Sequence, residues 1–365
     1  MQQQSFNHLI WKSLINNKSA LIGLIIIAAA IFISIFGYFI APDGSPNADL
    51  QTVEIAAKHP GYTQLFLKIP DKKNAAIGLF AQLVNGKRDN YRYVPINNYS
   101  IKGDVLFINK YVDDDTSVAQ QYLISQLTDN HPKNLLTQNI CTKKYWLGTD
   151  TFGRDILSRL IIGTRVSLAV GLIAVLISLT LGILLGAIAG YYQGRIDAII
   201  MWLINVTWSI PTLLLVFAIT LALGKGFWQI FIAVGLTMWV SVARLIRGQV
   251  MAIKELEYIQ AARALGYTDV RIIGRHILPN IFGPVMVIAA SNFATAIIVE
   301  AGLSFLGIGV QPPQPSWGLM IKENYNFIIT HNPMLALIPG FAIMLLVLSF
   351  NLLGNGLRDA LDVKN

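Results

Sequence analysis

The chain has 365 residues, 54% of them hydrophobic and only 13% charged, and its mean hydropathy is positive. That balance excludes a water-soluble globule and points to a polytopic membrane protein. The net charge of +8 is spread over both sides of the expected membrane and is not a nucleic-acid footprint.

A bilayer crossing needs about 20 apolar residues, and six stretches qualify: 20–41, 166–190, 198–223, 227–243, 281–306 and 335–353. The fourth is short, and the third is interrupted by Pro211. The first run is longer than a secretory h-region, and no small-x-small cleavage site follows before Pro42, so a retained signal anchor is expected. With Lys12 and Lys18 ahead of it, the N-terminus is expected in the cytoplasm. Alternation then puts Tyr191–Asp197, Arg244–Asn280 and the C-terminal tail inside. The cations of the Arg244–Asn280 loop agree with the positive-inside rule. Arg154, Arg159 and Arg165 fall outside against that rule, which long translocated segments escape.

Residues 42–145 differ from the rest, being polar and rich in Asn, Asp, Lys and Tyr. Turn signals stand at Pro46, Pro60-Gly61, Pro70-Asp71, Asn85-Gly86 and Pro132. We read an inserted extracytoplasmic domain of mixed α and β structure, large enough for a small core. Leu65–Ile69 and Val105–Tyr111 have strand character, whereas Ser117–Leu127, with Val118, Tyr122 and Leu127, reads as helical. Such an insert is compatible with contact to a delivering receptor and with a plain decoration. Asp113-Asp114-Asp115 lacks the glycine and distal glutamate of a calcium loop and reads as a solvated turn. Cys141 is the sole cysteine, which excludes an intrachain disulfide.

Within the spans, Gly182, Gly186 and Gly190 are four residues apart, leaving a strip without side chains against which another helix can pack, preferably one of the same chain. Asn205, Thr207, Ser209 and Pro211 predict a kink beside polar groups, suited to a gate and equally to a structural bend with satisfied hydroxyls. Ser291, Asn292 and Thr295 are candidates for a polar pathway or for helix-packing hydrogen bonds. Glu300 is the one carboxylate inside an apolar span, so it must face water, a cation or the bundle interior. Pro312, Pro313 and Pro315 with Trp317 predict a rigid extended loop, either a cap on an outer vestibule or an interfacial anchor.

Between the fourth and fifth spans, Glu255–Asn280 (ELEYIQAARALGYTDVRIIGRHILPN) reads as two short helices across a glycine turn. Leu256, Ile259, Ala262 and Leu265 share an apolar face, Glu257, Gln260 and Arg263 a polar one, and Gly266 is the stop. Thr268 is placed to cap a second helix with Val270, Ile273 and Ile277 on one stripe and Arg271 and Arg275 on another, until Pro279 ends it. A charged helical loop between apolar spans needs a docking partner or a membrane surface.

The spacing of Ala261-Ala262, Gly266 and Leu278-Pro279 resembles the cytoplasmic signature loop of ABC-importer permeases. Gln260 stands where the general signature has glutamate, and His276 where it has an apolar residue. Leu147–Leu168, Glu300–Met320 and Asn351–Asp362 resemble the dipeptide/oligopeptide branch, in the manner of its second permease component. The resemblance covers residues 1–41 loosely and 146–365 closely, and is silent on 42–145. It implies an all-α polytopic membrane fold of the type I importer kind with six transmembrane helices. The first segment, 1–41, is then cytoplasmic N-terminus and first helix, 42–145 the insert, and 146–365 a permease core whose coupling loop is 244–280. It further implies translocation of di- or oligopeptides across a bacterial cytoplasmic membrane, with both termini cytoplasmic. The implied partners are a second homologous permease, two ATPase subunits holding ATP and magnesium, and an extracytoplasmic substrate-binding protein. Glu257, Gln260, Ala261, Ala262, Arg263, Leu265 and Gly266 would then dock the ATPase. Asn205, Pro211, Asn292, Thr295, Glu300 and Trp317 are the corresponding gate or pathway candidates.

The chain has no G-x-x-x-x-G-K-[ST] sequence, so the energy comes from another subunit or a gradient, and no cofactor is expected on this chain. His8, His59, His131, His276 and His331 form no H-E-x-x-H pair, and Gly302–Leu306 lacks the glycine that completes a nucleophile elbow, so neither catalytic nor metal residues are assigned. Two rivals remain. An ion-coupled carrier needs titratable groups on a pathway, for which only Glu300 qualifies. A non-transporting sensor would bind its ligand on 42–145 and signal through the middle loop.

Overall fold

The computed structural model describes residues 6–71, 78–127, 139–224, 226–329 and 332–362; Pro132, His131 and His331, singled out above, lie outside them. The chain forms two units, one of Met1–Ile31, Ser167–Gln311 and Phe341–Asn365, the other of Phe32–Val166 and Pro312–Gly340.

Backbone groups in hydrocarbon must be paired within their own segment, which makes long apolar runs helical. In chain order the elements begin with α1 (Phe6–Asn16) and α2 (Lys18–Ile40). Then come β1 (Tyr62–Pro70), α3 (Leu79–Asn85), β2 (Tyr91–Lys102), β3 (Val105–Tyr111), β4 (Ser117–Leu123), α4 (Ile124–Leu127) and β5 (Ile140–Tyr145). The remaining helices are α5 (Ile156–Tyr192), α6 (Gly194–Ser209), α7 (Thr212–Leu223), α8 (Phe227–Lys254), α9 (Glu257–Ala264), α10 (Asp269–Ile272), α11 (Phe282–Phe305), α12 (Trp317–Asn324) and α13 (Met334–Asp362). Among the described residues, five helices are long and apolar enough to cross a membrane: Lys18–Ile40, Ile156–Tyr192, Phe227–Lys254, Asp269–Phe305 and Met334–Leu361.

Three expectations are corrected. The span read as short, 227–243, is a 28-residue helix, because the amphipathic residues after Ser241 continue it. The expected kink in 198–223 is a full break: α6 and α7 meet at 95°. Pro211 pushes Ile210 out of the helical region (φ −97°, ψ 126°) and offers no amide to continue the ladder. Pro279, by contrast, does not end its helix. A π turn over Ile273–Ile277, closed by the Leu278 amide donating to the Ile273 carbonyl, precedes a 3₁₀ turn over Leu278–Ile281. The changed bonding phase absorbs the missing proline N–H, and the chain stays helical to Phe305.

The glycine strip faces α8 of the same chain. A Cβ on Gly182 would lie 2.4 Å from Val242 Cβ, one on Gly186 2.5 Å from the Ala243 carbonyl oxygen, and one on Gly190 2.7 Å from that of Arg247. The two backbones therefore approach within the space a methyl group would occupy. Gly186→Leu is expected to cost about 3 kcal/mol through overpacking. Gly248→Leu is the control, since an added Cβ there meets nothing within 4 Å. Thermal stability of the detergent-solubilised variants, read by size exclusion, checks both.

The second unit holds a five-stranded antiparallel sheet of order β4-β3-β2-β1-β5. Alternation puts Leu67, Val94, Ile96, Leu106 and Ile108 on one face, under Ile124 and Leu127 of α4. Phe66, Tyr111 and Tyr145 pack with Ile55 in a separate cluster. Ser117–Leu123 is thus a strand and not the expected helix, paired residue for residue with β3, Gln120 opposite Ile108. Its Ala and Gln residues carry helical propensity, which the open edge of β3 overrides. The proline loop also departs from the extended expectation, since Pro312 and Pro313 lie in a turn.

Candidate functional site

The Glu255–Asn280 segment is built around one short helix. α9 begins after Leu256, whose extended backbone makes it the N-cap, and ends at Leu265. Its end is a complete Schellman motif. The Tyr267 amide donates to the Ala262 carbonyl at 3.2 Å and the Gly266 amide to that of Arg263 at 2.9 Å. That closure needs a left-handed residue, and Gly266 supplies it at φ +80°.

Ile259 and Ala262 face inward, packed with Tyr191 of α5, Val242, Ile246 and Val250 of α8, and Ile272, Ile277 and Ile281. Leu256 and Leu265, expected on the same face, are exposed at 46% and 74%. They are the caps of the helix, so the 3.6-residue repeat does not reach them. Val270 is likewise exposed and not on the expected stripe with Ile273 and Ile277. The π turn spaces the inward residues five apart, at Ile272 and Ile277. Thr268 holds the N-cap position of α10 without a side-chain cap bond.

Polar contacts fix the segment further. The Tyr191 hydroxyl donates to Asp269 at 2.6 Å, and the Arg263 guanidinium lies 5.5 Å from the Tyr191 ring. A hydrogen bond with Tyr191 raises the Arg263 pKa above its ordinary value, so the side chain stays cationic. The Tyr267 and His276 rings stack at 5.8 Å, and Arg271 covers Tyr267 at 4.3 Å. What remains outward is a surface of Glu257, Gln260, Ala261, Arg263 and Leu265, joined by Leu256, Tyr258 and Val270. A hollow of about 360 Å³ opens between Lys254, Glu255, Gln260, Arg263 and Ala264. Neither Tyr258 nor Val270 was read onto that surface in the sequence, because spacing gave Tyr258 no role and set Val270 on the stripe of Ile273 and Ile277.

Four of the gate candidates in the first unit have partners of their own. Asn205 accepts a bond from Arg244 at 3.1 Å beside the break at Pro211. Asn292 is buried toward Ser178, 3.5 Å away, whereas Thr295 is exposed on another side of α11 and donates to the Ser291 carbonyl. Glu300 is fully buried and accepts from the Ser304 hydroxyl at 2.6 Å, while Ser304 Oγ accepts from the Val310 amide. The loop after α11 is thereby folded back onto its end. Trp317 opens α12, buried against Gly163, with its indole N–H donating to the Leu160 carbonyl at 3.0 Å.

A buried charge cluster accounts for two of the arginines that ran against the positive-inside rule. Arg154 donates to Asp150 at 2.7 Å, Asp49 at 3.2 Å and Glu323 at 2.8 Å; Arg159 donates to Asp150 at 3.1 Å and pairs with Glu323 at 3.1 Å. Burial raises the Asp150 and Glu323 carboxyls above their ordinary range against the pull of Arg154. Burial works to lower Arg154, but those two carboxylates hold it above its ordinary value.

Five helices long and apolar enough to span, a bent sixth pair and a short helix with one face exposed are the parts of a membrane permease subunit. Residues 182–364 match the family described as the inner membrane component of binding-protein-dependent transport systems, and residues 5–53 match the N-terminal transmembrane domain of oligopeptide transport permease C. The chain belongs to that family of inner membrane components. A glutathione transport system permease protein of Pectobacterium atrosepticum is 44% identical over 220 residues, 60% of this chain and 73% of the relative. A dipeptide transport system permease protein of Alkalihalophilus pseudofirmus is 43% identical over 240 residues, 66% of this chain and 78% of the relative. Among solved structures, the inward-facing MetNI methionine ABC transporter is 18% identical with a TM-score of 0.47, over 57% of this chain and 98% of that one. Membership implies a partner ATPase, a substrate-binding protein and a place in a bacterial inner membrane.

Proposed function

We propose that this chain is one of two permease subunits of an ATP-driven importer of di- or oligopeptides, moved by two ATPase subunits through the outward face of α9. The observation that carries the reading is the two-sidedness of that helix: Ile259 and Ala262 lock it to the transmembrane helices, while Glu257, Gln260, Ala261, Arg263 and Leu265 stay exposed. A short helix wedged this way passes displacement on without bending. Closure of the ATPase pair would carry α9 with it and shift the spans from inward-open to outward-open. ATP and magnesium belong to the partner, and peptide is delivered from the outside by the binding protein. Peptide cargo is supported by relatives whose names specify dipeptide and glutathione transport. In this reading α9 and both termini are cytoplasmic, and the sheet of the second unit is extracytoplasmic.

The test is uptake of a labelled dipeptide into proteoliposomes holding the two permeases and the ATPases, with binding protein outside. Uptake is expected only with ATP enclosed. Uptake driven by a proton gradient with the ATPases omitted would establish the carrier instead.

A further inference from the structure

α3 buries none of its seven residues. Leu79 and Phe80 are 78% and 80% exposed and Val84 42%. With Leu83 they fall at i, i+1, i+4 and i+5, one face of a helix. On the other side, Gln82 lines a polar cleft of about 900 Å³ shared with Lys87, Arg88 and Lys143.

So short a helix does not persist by itself in water, and the structure shows what pins it. Arg165 donates to the carbonyls of Leu83 (3.1 Å) and Val84 (3.2 Å), which the last turn leaves without helical partners. Gly86 ends the helix at φ +72°, in a space where a Cβ would lie 2.7 Å from the Gly44 carbonyl oxygen and 2.8 Å from the Tyr38 ring. The Lys87 amide donates to that same Gly44 carbonyl at 2.8 Å. α3 is therefore a fixed element that holds two large apolar side chains in the open.

Its anchor points say what covers them. Tyr38 lies in the last turn of α2, whose Phe32, Ile35, Phe36, Phe39 and Ile40 are exposed as on a lipid-facing helix. Arg165 stands one residue before the apolar run of α5 and covers the Tyr38 ring at 5.0 Å. Tyrosine and arginine at the end of a span mark the boundary between acyl chains and headgroups. α3 hangs at that level, with exposed Lys87 and Arg88 following it.

We propose that α3 is an interfacial anchor. Leu79, Phe80, Leu83 and Val84 lie in the headgroup–acyl boundary of the leaflet where α2 ends, and Lys87 and Arg88 meet lipid phosphates. The partner is the bilayer surface itself, and the anchor ties the strand-bearing segment to it between β1 and β2.

The test uses the full chain in nanodiscs with Cys141→Ser and a single bimane-labelled cysteine, with a chain-attached nitroxide lipid as quencher. Phe80→Cys is compared with lipid-facing Phe36→Cys and with Lys102→Cys at the far end of β2, a strand roughly 35 Å long. Quenching at position 80 is expected to approach that at 36 and to exceed that at 102 by about threefold. Quenching no greater than at 102, with the label open to aqueous iodide, overturns the proposal. So does a label shielded from iodide only when binding protein is added, which would make the face a protein contact. Leu79→Ser/Phe80→Ser is expected to leave the melting temperature in detergent unchanged, which separates loss of anchoring from loss of fold.

Discussion

Replacing Asp150 with alanine is expected to destabilise the protein by about 3–5 kcal/mol, the cost of stranding buried cations. Asp150 is 1% exposed, and one of its carboxylate oxygens, Oδ2, accepts from both Arg154 and Arg159, themselves 3% and 1% exposed. Its other oxygen accepts the backbone amides of Phe152 and Arg154 and so shapes the turn that leads into α5. Alanine would leave two guanidiniums with Glu323 and the partly exposed Asp49 to balance them. Asp150→Asn keeps the amide acceptor and loses the charge, so it should fall between parent and alanine. Adding Arg159→Met to Asp150→Ala should recover part of the loss, because the cost lies in the uncompensated charge. Size-exclusion melting of the solubilised variants reads all of these. A melting temperature for Asp150→Ala indistinguishable from that of the parent would show that the cluster is not structural.

The double variant Gly266→Leu, Arg263→Glu is expected to lose ATP-driven peptide uptake by at least about tenfold while remaining in the membrane. Nothing lies within 4 Å of a Cβ at position 266, so leucine meets no steric clash, and the penalty is the left-handed backbone alone. That conformation costs an L-residue about 1–2 kcal/mol, enough to open the Schellman closure in most molecules. The end of α9 would then fray and carry Leu265 out of place. Arg263→Glu reverses the charge next to Tyr191 and the hollow lined by Lys254 and Gln260. Gly266→Asn tolerates the same backbone and should retain most uptake. Co-purification separates the causes: the ATPase subunits should follow the parent and Gly266→Asn and be lost from the double variant. Parental uptake by the double variant would end the assignment of α9 as the docking element.

Much of this was readable from residues. The apolar runs marked the five described helices long and apolar enough to cross a membrane and the broken pair, since hydrocarbon leaves helices no rival within a run of that length. The glycine spacing pointed to a packed face, and the Gly266 stop to a left-handed turn. What escaped were features set by neighbours. Ser117–Leu123 is a strand because β3 offered it an edge, a fact absent from its own composition. Leu256 and Leu265 turned outward because periodicity says nothing about where a helix is cut. Arg154 and Arg159 looked like a topological anomaly. Glu323, which neutralises them together with Asp150, stands 169 residues from Arg154 in the chain, a separation no local pattern spans. Neither family match extends over residues 54–181, and α3 lies there, in the stretch where a sequence resemblance had nothing to say.

The elbow at Pro211 limits what can surround this subunit. A helix that stops leaves four carbonyls at its end, and one that starts leaves four amides, all without internal partners. Between α6 and α7 both sets occur within a few residues, and Asn205, Trp208, Ser209, Ile210, Pro211 and Thr212 are all exposed. The Ser209 hydroxyl, donating to the Val206 carbonyl, offers local relief to one of them. Each peptide group left bare to acyl chains costs several kcal/mol. At acyl depth such a corner is a place where lipid must give way to water or to another polypeptide.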